Sequence, residues 1–143
     1  MATGRLVNFG AGSATSSGSL VLGAGGTSYE HAGGTQTFGA GSQVSGDASS
    51  AVVVSGGVLN VNTATANYTQ AGTMQVTGGA AVVAPDLGLS QLVISGGAAS
   101  IGGQVTAATF TQSGGTLTGV GSVVLTGASN TWSGGAWAGG GLV

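Results

Sequence analysis

Short runs in which apolar and polar residues alternate fill this chain, and each run stops at a small residue followed by glycine. Val58-Leu59-Asn60-Val61, Thr73-Met74-Gln75-Val76 and Gly121-Ser122-Val123-Val124-Leu125 are of this kind. A period of two over so few residues predicts short strands with one face turned to a core. No window sustains the apolar period of an amphipathic helix, and glycine interrupts nearly every stretch long enough to form one.

The runs belong to a recurring phrase. It reads Tyr29-Glu30-His31-Ala32-Gly33-Gly34, Val52-Val53-Val54-Ser55-Gly56-Gly57 and Tyr68-Thr69-Gln70-Ala71-Gly72. It continues as Leu92-Val93-Ile94-Ser95-Gly96-Gly97, Phe110-Thr111-Gln112-Ser113-Gly114-Gly115 and Asn130-Thr131-Trp132-Ser133-Gly134-Gly135. The first glycines advance by 23, 16, 24, 18 and 20 residues. A recurrence of about 20 residues in β-forming sequence is the mark of a solenoid.

One unit shows how a coil is made. Thr116-Leu117-Thr118 is a strand, Gly119-Val120-Gly121 a bend, Ser122-Val123-Val124-Leu125 a second strand, Thr126-Gly127-Ala128-Ser129 a bend, and Asn130-Thr131-Trp132 closes the turn. Three short strands and three bends describe one triangular coil of a parallel β-helix. Residues 1–143 are then a single repeat domain of about seven coils, a rod roughly 30–35 Å long at one strand spacing per coil. The short step falls between Asn60 and Gln70. The long one predicts an inserted loop from Gly78-Gly79-Ala80 to Leu89, including Pro85-Asp86.

Composition fits narrow coils. Apolar residues make up 41%, mostly Ala, Val and Leu, beside 32 glycines and one proline. The glycines follow no Gly-X-Y period, which excludes collagen, and the β-branched runs argue against a disordered Gly/Ser linker. Charge is confined to Arg5, Glu30, Asp47 and Asp86, with His31 the lone histidine. Nucleic acid is excluded as a partner, because phosphate contacts need clustered Lys or Arg. Stacking itself disfavours charge: equivalent residues lie roughly 4.8 Å apart, so a repeated charge faces its own sign.

The chemistry available is sparse. Without cysteine there are no disulfides and no thiolate metal sites. No apolar run approaches the length of a membrane helix. Glu30 and His31 are adjacent on a strand and so point to opposite faces. Asp47 and Asp86 occupy bends as turn residues. The stretch from Gly39 to Asp47 lacks the repeated Asp of calcium-binding nonapeptides. Catalytic residues, metal ligands and cofactors are therefore expected to be absent. Thr-x-Thr pairs at Thr35/Thr37, Thr63/Thr65, Thr109/Thr111 and Thr116/Thr118 share no fixed phase of the repeat, which argues against an ice-binding ladder. Trp132 and Trp137 fill or cap the core, or stack on a sugar if exposed. Gly139, Gly140, Gly141, Leu142 and Val143 form an uncharged terminal edge open to self-association.

From Ser113 to Gly141 the chain reads Ser-Gly-Gly-Thr-Leu-Thr-Gly-x-Gly-Ser-Val-x-Leu-Thr-Gly, then Trp-Ser-Gly-Gly-x-Trp-x-Gly-x-Gly after four residues. This resembles the glycine/threonine-rich repeats of bacterial autotransporter passengers and filamentous-haemagglutinin-like adhesins. The resemblance implies an all-β, right-handed parallel β-helix in a non-catalytic extracellular stalk or adhesin, and carries over no site residues. Met1-Ala2-Thr3-Gly4-Arg5-Leu6 has no apolar signal region, which fits a segment excised from, or continuing into, a longer array. Three functions are weighed: a structural or adhesive segment with cell-surface glycans as partner, a filament subunit with itself as partner, and a polysaccharide-binding or polysaccharide-processing β-helix.

Overall fold

A computed structural model describes residues 5–8, 10–61 and 67–139. The described residues contain strands and no helix. The first turn is β1 (Arg5–Asn8), β2 (Ser13–Ser16) and β3 (Ser19–Leu22), and the second is β4 (Ser28–His31), β5 (Thr35–Phe38) and β6 (Gln43–Gly46). The third holds β7 (Ala51–Val54), β8 (Val58–Val61) and β9 (Asn67–Gln70). Next come β10 (Thr73–Val76), β11 (Ala80–Val83), β12 (Leu87–Ile94), β13 (Ala98–Ile101) and β14 (Val105–Gln112). The last are β15 (Thr116–Gly119), β16 (Val123–Leu125), β17 (Asn130–Trp132) and β18 (Ala136–Gly139).

Every strand pairs in parallel with its counterpart one turn away. The result is a β-solenoid of six three-sided turns, followed by two strands of a seventh. The first side is β1-β4-β7-β10-β12-β14, on which β17 pairs with β14. The second side is β2-β5-β8-β11-β13-β15-β18. The third begins as β3-β6-β9, and from the fourth turn it is taken by the N-terminal halves of β12 and β14 and by β16.

The corner from the third side back to the first shrinks along the rod. It spans residues 23–27 in the first turn, 47–50 in the second and 71–72 in the third. In the fourth and fifth turns it disappears, because β12 and β14 run straight through it. Leu87 and Leu89 face inward, and then Leu92 and Ile94 do, so the alternation slips by one residue where the strand bends. Loss of the corner shortens the rung: Arg5, Ser28, Ala51 and Thr73 are aligned at steps of 23, 23 and 22, whereas Thr73, Gln91 and Thr109 follow at 18 and 18.

This register corrects the reading of the repeat. Val52 is aligned with Met74, and Tyr68 with Val44. Tyr68-Thr69-Gln70-Ala71-Gly72 therefore lies on the third side, and the true counterpart of Val52–Gly57 is Met74-Gln75-Val76-Thr77-Gly78-Gly79. The expected loop from Gly78 to Leu89 is an ordinary rung containing β11. On one phase, the glycines at Gly33, Gly56, Gly78, Gly96, Gly114 and Gly134 advance by 23, 22, 18, 18 and 20 residues.

Inward residues stack in continuous columns. On the first side Tyr29, Val52, Met74, Leu92 and Phe110 form one, and on the second Leu59, Ala81, Ala99 and Leu117 form another. All nine are buried. Bulk is shared between sides: where the first side supplies Met74 and Leu92, the second supplies Ala81 and Ala99. A large residue on one side set against a small one on the other is what close packing of so narrow an interior requires.

The pair of glycines after each first-side strand from β4 onward makes the corner tight. Gly57 and Gly79 take positive φ of 63° and 62°, a region that costs a residue with a Cβ about 1–2 kcal/mol. Neither position has room for one, because each faces the backbone of the glycine pair one turn below.

Candidate functional site

Ser42 and Ser50 are buried in corners just ahead of β6 and β7, and the larger buried polar side chains take the last inward position of a strand before a corner. His31, Gln70 and Gln112 are fully buried. His31 Nε2 donates to Gly34 O at 3.2 Å, three residues on. Gln70 Nε2 donates to Thr73 O at 3.3 Å, and to Ser50 O and Ser50 Oγ, each at 3.1 Å. Gln112 Nε2 donates to Gly115 O at 3.5 Å and to Ala136 O, in the next turn, at 3.2 Å. An aromatic residue two positions earlier completes the motif. Tyr29 Oη lies 3.3 Å from His31 Nδ1, and Tyr68 Oη donates to Gln70 Oε1 at 3.2 Å. Burial pushes the Tyr68 hydroxyl well above its ordinary pKa of 10.0, because the tyrosinate would lose its hydration.

His31 and Gln112 occupy the same column, separated by Val54, Val76 and Ile94. Hydrogen-bonded polar groups thus bracket a buried apolar stretch. Sequence reasoning missed both glutamines. The recurring aromatic-x-His/Gln-Ala/Ser-Gly phrase carried the signal, since the aromatic must face inward and the residue two later shares its face.

The C-terminal end of the described stack is aromatic. Trp137, half-buried on β18, is aligned with Leu117, and its indole meets Phe110 edge-on at 5.6 Å between ring centres. Trp137 Nε1 donates to Gln112 Oε1. Trp132 on β17 is aligned with Gln112 and stacks on Trp137 at 5.5 Å, while remaining 60% exposed. The structure therefore brings Trp132 and Trp137 together as a lid over the last core residues. Gly139 ends β18, aligned with Gly119. Gly140, Gly141, Leu142 and Val143 lie outside the described residues.

The acid/base groups sit elsewhere, and apart. Glu30 faces outward on β4 and accepts a hydrogen bond from Ser55 Oγ at 2.5 Å, while His31 faces inward. Asp47 Oδ1 accepts Ser49 N at 2.9 Å and Ser49 Oγ at 2.6 Å. These bonds hold its carboxyl below the ordinary 3.8. Asp86 Oδ1 accepts Gln104 N at 2.7 Å, tying one corner to the next turn. Both aspartates are corner residues, as the sequence predicts. No group of three or more His, Cys, Asp or Glu able to hold a metal ion occurs among the described residues. No helix there is long and apolar enough to cross a membrane.

Two ends of the second side complete the picture. Ser13, Ala14 and Thr15 on β2, and Ala136, Ala138 and Gly139 on β18, are exposed, and each strand pairs on one edge only among the described residues. Set beside known proteins, the chain matches no family model, no curated protein and no solved structure.

Proposed function

We propose that this chain is a non-catalytic structural or adhesive segment of a bacterial extracellular surface protein. One observation carries the reading: the described carboxylates are engaged in the coil's own geometry. Glu30 binds Ser55 of the next turn, Asp47 closes its bend, and Asp86 binds Gln104 of the next turn. A hydrolase of the glycosidase type needs two carboxyl groups flanking one cleft, and these three belong to different corners and sides. Resemblance to the glycine/threonine-rich repeats of surface adhesins supports the extracellular setting.

The test is incubation with a panel of cell-surface polysaccharides, with reducing ends and tryptophan fluorescence read together. No reducing ends are expected. Quenching of the exposed Trp132 would mark an adhesive glycan site. Release of reducing ends, lost in Glu30→Gln or Asp86→Asn, would refute the non-catalytic reading. A second reading, a filament subunit that stacks head to tail, is favoured by the single-edged pairing of β2 and β18.

A further inference from the structure

We infer that copies of this chain dock end to end in the register of their own turns, with β18 of one against β2 of the next and Trp137 over Ala14. The inference rests on the filament reading and gives it a specific contact.

Backbone geometry comes first. The second side keeps one unbroken four-residue register through all its pairings, from Ser13↔Thr35 to Thr116↔Ala136. Adding one more parallel rung aligns Ala136 with Ser13, Trp137 with Ala14, Ala138 with Thr15 and Gly139 with Ser16 of a second copy. On the first side the same step aligns Trp132 with Asn8. An edge strand templates such pairing unless charge, proline or a bulge blunts it. Neither Ser13-Ala14-Thr15-Ser16 nor Ala136-Trp137-Ala138-Gly139 contains a charge or a proline.

Side-chain size selects the occupant. The column through these strands reads Ala14, Gln36, Leu59, Ala81, Ala99, Leu117, Trp137. Its largest member stands at one end and an exposed alanine at the other, so a second copy brings a small residue to the bulkiest of the column. The outward column ends in Thr15 and Ala138, both exposed and uncharged. A partner of unrelated shape would have to match the parallel spacing on two sides of a triangle; a second copy has it already. The contact is head to tail and does not close, so it propagates into a rod. Turns within the chain are held by linkage at an effective concentration in the millimolar range. The same interface between separate molecules is therefore expected at protein concentrations of about 0.1–1 mM.

The experiment uses the full 143-residue chain, sedimentation velocity over that range and electron microscopy of the same samples. The wild type is expected to form rods whose mean length grows with concentration. In the double variant Thr15→Lys/Ala138→Lys, like charges meet about one strand spacing apart, and association weakens about fivefold or more at low salt. In Thr15→Glu/Ala138→Lys, opposite charges meet and association recovers to wild type or beyond. Ser100→Lys, in the same outward column but inside the rod, leaves association unchanged. Circular dichroism confirms the fold of each variant. A wild type that stays monomeric at about 1 mM overturns both the filament reading and this contact. Rods that form equally well in both charge variants overturn the contact alone.

Discussion

Replacing Gly115 by alanine tests the close approach of successive turns at the glycine corner. Gly115 has φ of 67°, and a Cβ there would lie 2.7 Å from Gly96 O and 2.8 Å from Gly96 C and Gly97 O. Positive φ alone costs alanine about 1–2 kcal/mol. The clash cannot be relieved by a side chain, because backbone atoms of the turn below make it. Gly97 O is also fixed, accepting Thr116 N at 2.9 Å across the turns. Displacing it weakens a hydrogen bond worth about 1 kcal/mol net. The expected loss is about 2–4 kcal/mol, which for a chain of this size lowers the melting temperature by about 6–12 °C. The control is Gly88→Ala. Gly88 is exposed in β12, has no positive φ, and a Cβ there would meet nothing within 4 Å. That change is expected to be neutral or stabilising by up to about 1 kcal/mol through the unfolded chain. Thermal and urea unfolding followed by far-ultraviolet circular dichroism compares the two. If Gly115→Ala falls within about 0.5 kcal/mol of Gly88→Ala, well under the penalty for positive φ alone, the turns do not pack as closely as the structure places them.

Two further outcomes follow from the buried polar corners. Gln112→Leu puts an apolar side chain into the column of Val54, Val76 and Ile94, so space is available, but it strips partners from Trp137 Nε1 and Ala136 O. A loss of about 1–3 kcal/mol, confined to the last turns, should appear as a changed near-ultraviolet tryptophan signal with the far-ultraviolet signal retained; an unchanged tryptophan signal would refute the bond. Tyr68 titrates above its ordinary 10.0 in the folded chain, so above that pH the unfolded state binds fewer protons than the folded one. Stability is therefore full below pH of about 10 and falls as pH rises beyond it. Urea titrations on either side of that pH should show the slope in wild type and a shallower one in Tyr68→Phe, and tyrosinate absorbance appearing at the same pH in folded and unfolded chains would contradict burial.

Much of the fold was legible because a solenoid writes its geometry into every turn. Period-two alternation located the strands, and the glycine pairs located the tight corner. The phase was harder to read. Tyr68-Thr69-Gln70-Ala71-Gly72 looks like a copy of Tyr29–Gly34 because the local chemistry is the same: an inward aromatic, then an inward polar side chain bonded to the carbonyl three residues ahead. That device closes corners after both first-side and third-side strands, and so marks no particular side. Met74-Gln75-Val76-Thr77-Gly78-Gly79 occupies the right side but has no aromatic, and it was passed over for an insertion. Only the strand register separates the two. The tryptophans were legible as cap candidates, yet the hydrogen bond from Trp137 to Gln112 joins residues 25 apart and leaves no local pattern. The two aspartates were readable as turn residues because Asp in a glycine-rich bend has few other uses.

The shortage of charge has different causes in different rungs, and this bears on what the ends do. Within the stack a repeated charge would stand about one strand spacing from its own kind and destabilise the coil. That argument reaches Val82 or Ser100, which have neighbours above and below in their column. It does not reach Thr15 or Ala138, each with a stacked neighbour on one side only among the described residues. A single lysine at either position would repel nothing in the chain and would blunt an open edge, the usual device of β-proteins against unwanted pairing. Both strands nonetheless carry the uncharged small residues of interior rungs around one tryptophan. Uncharged small residues at positions where a charge would cost little are what the proposed end-to-end contact requires of both strands.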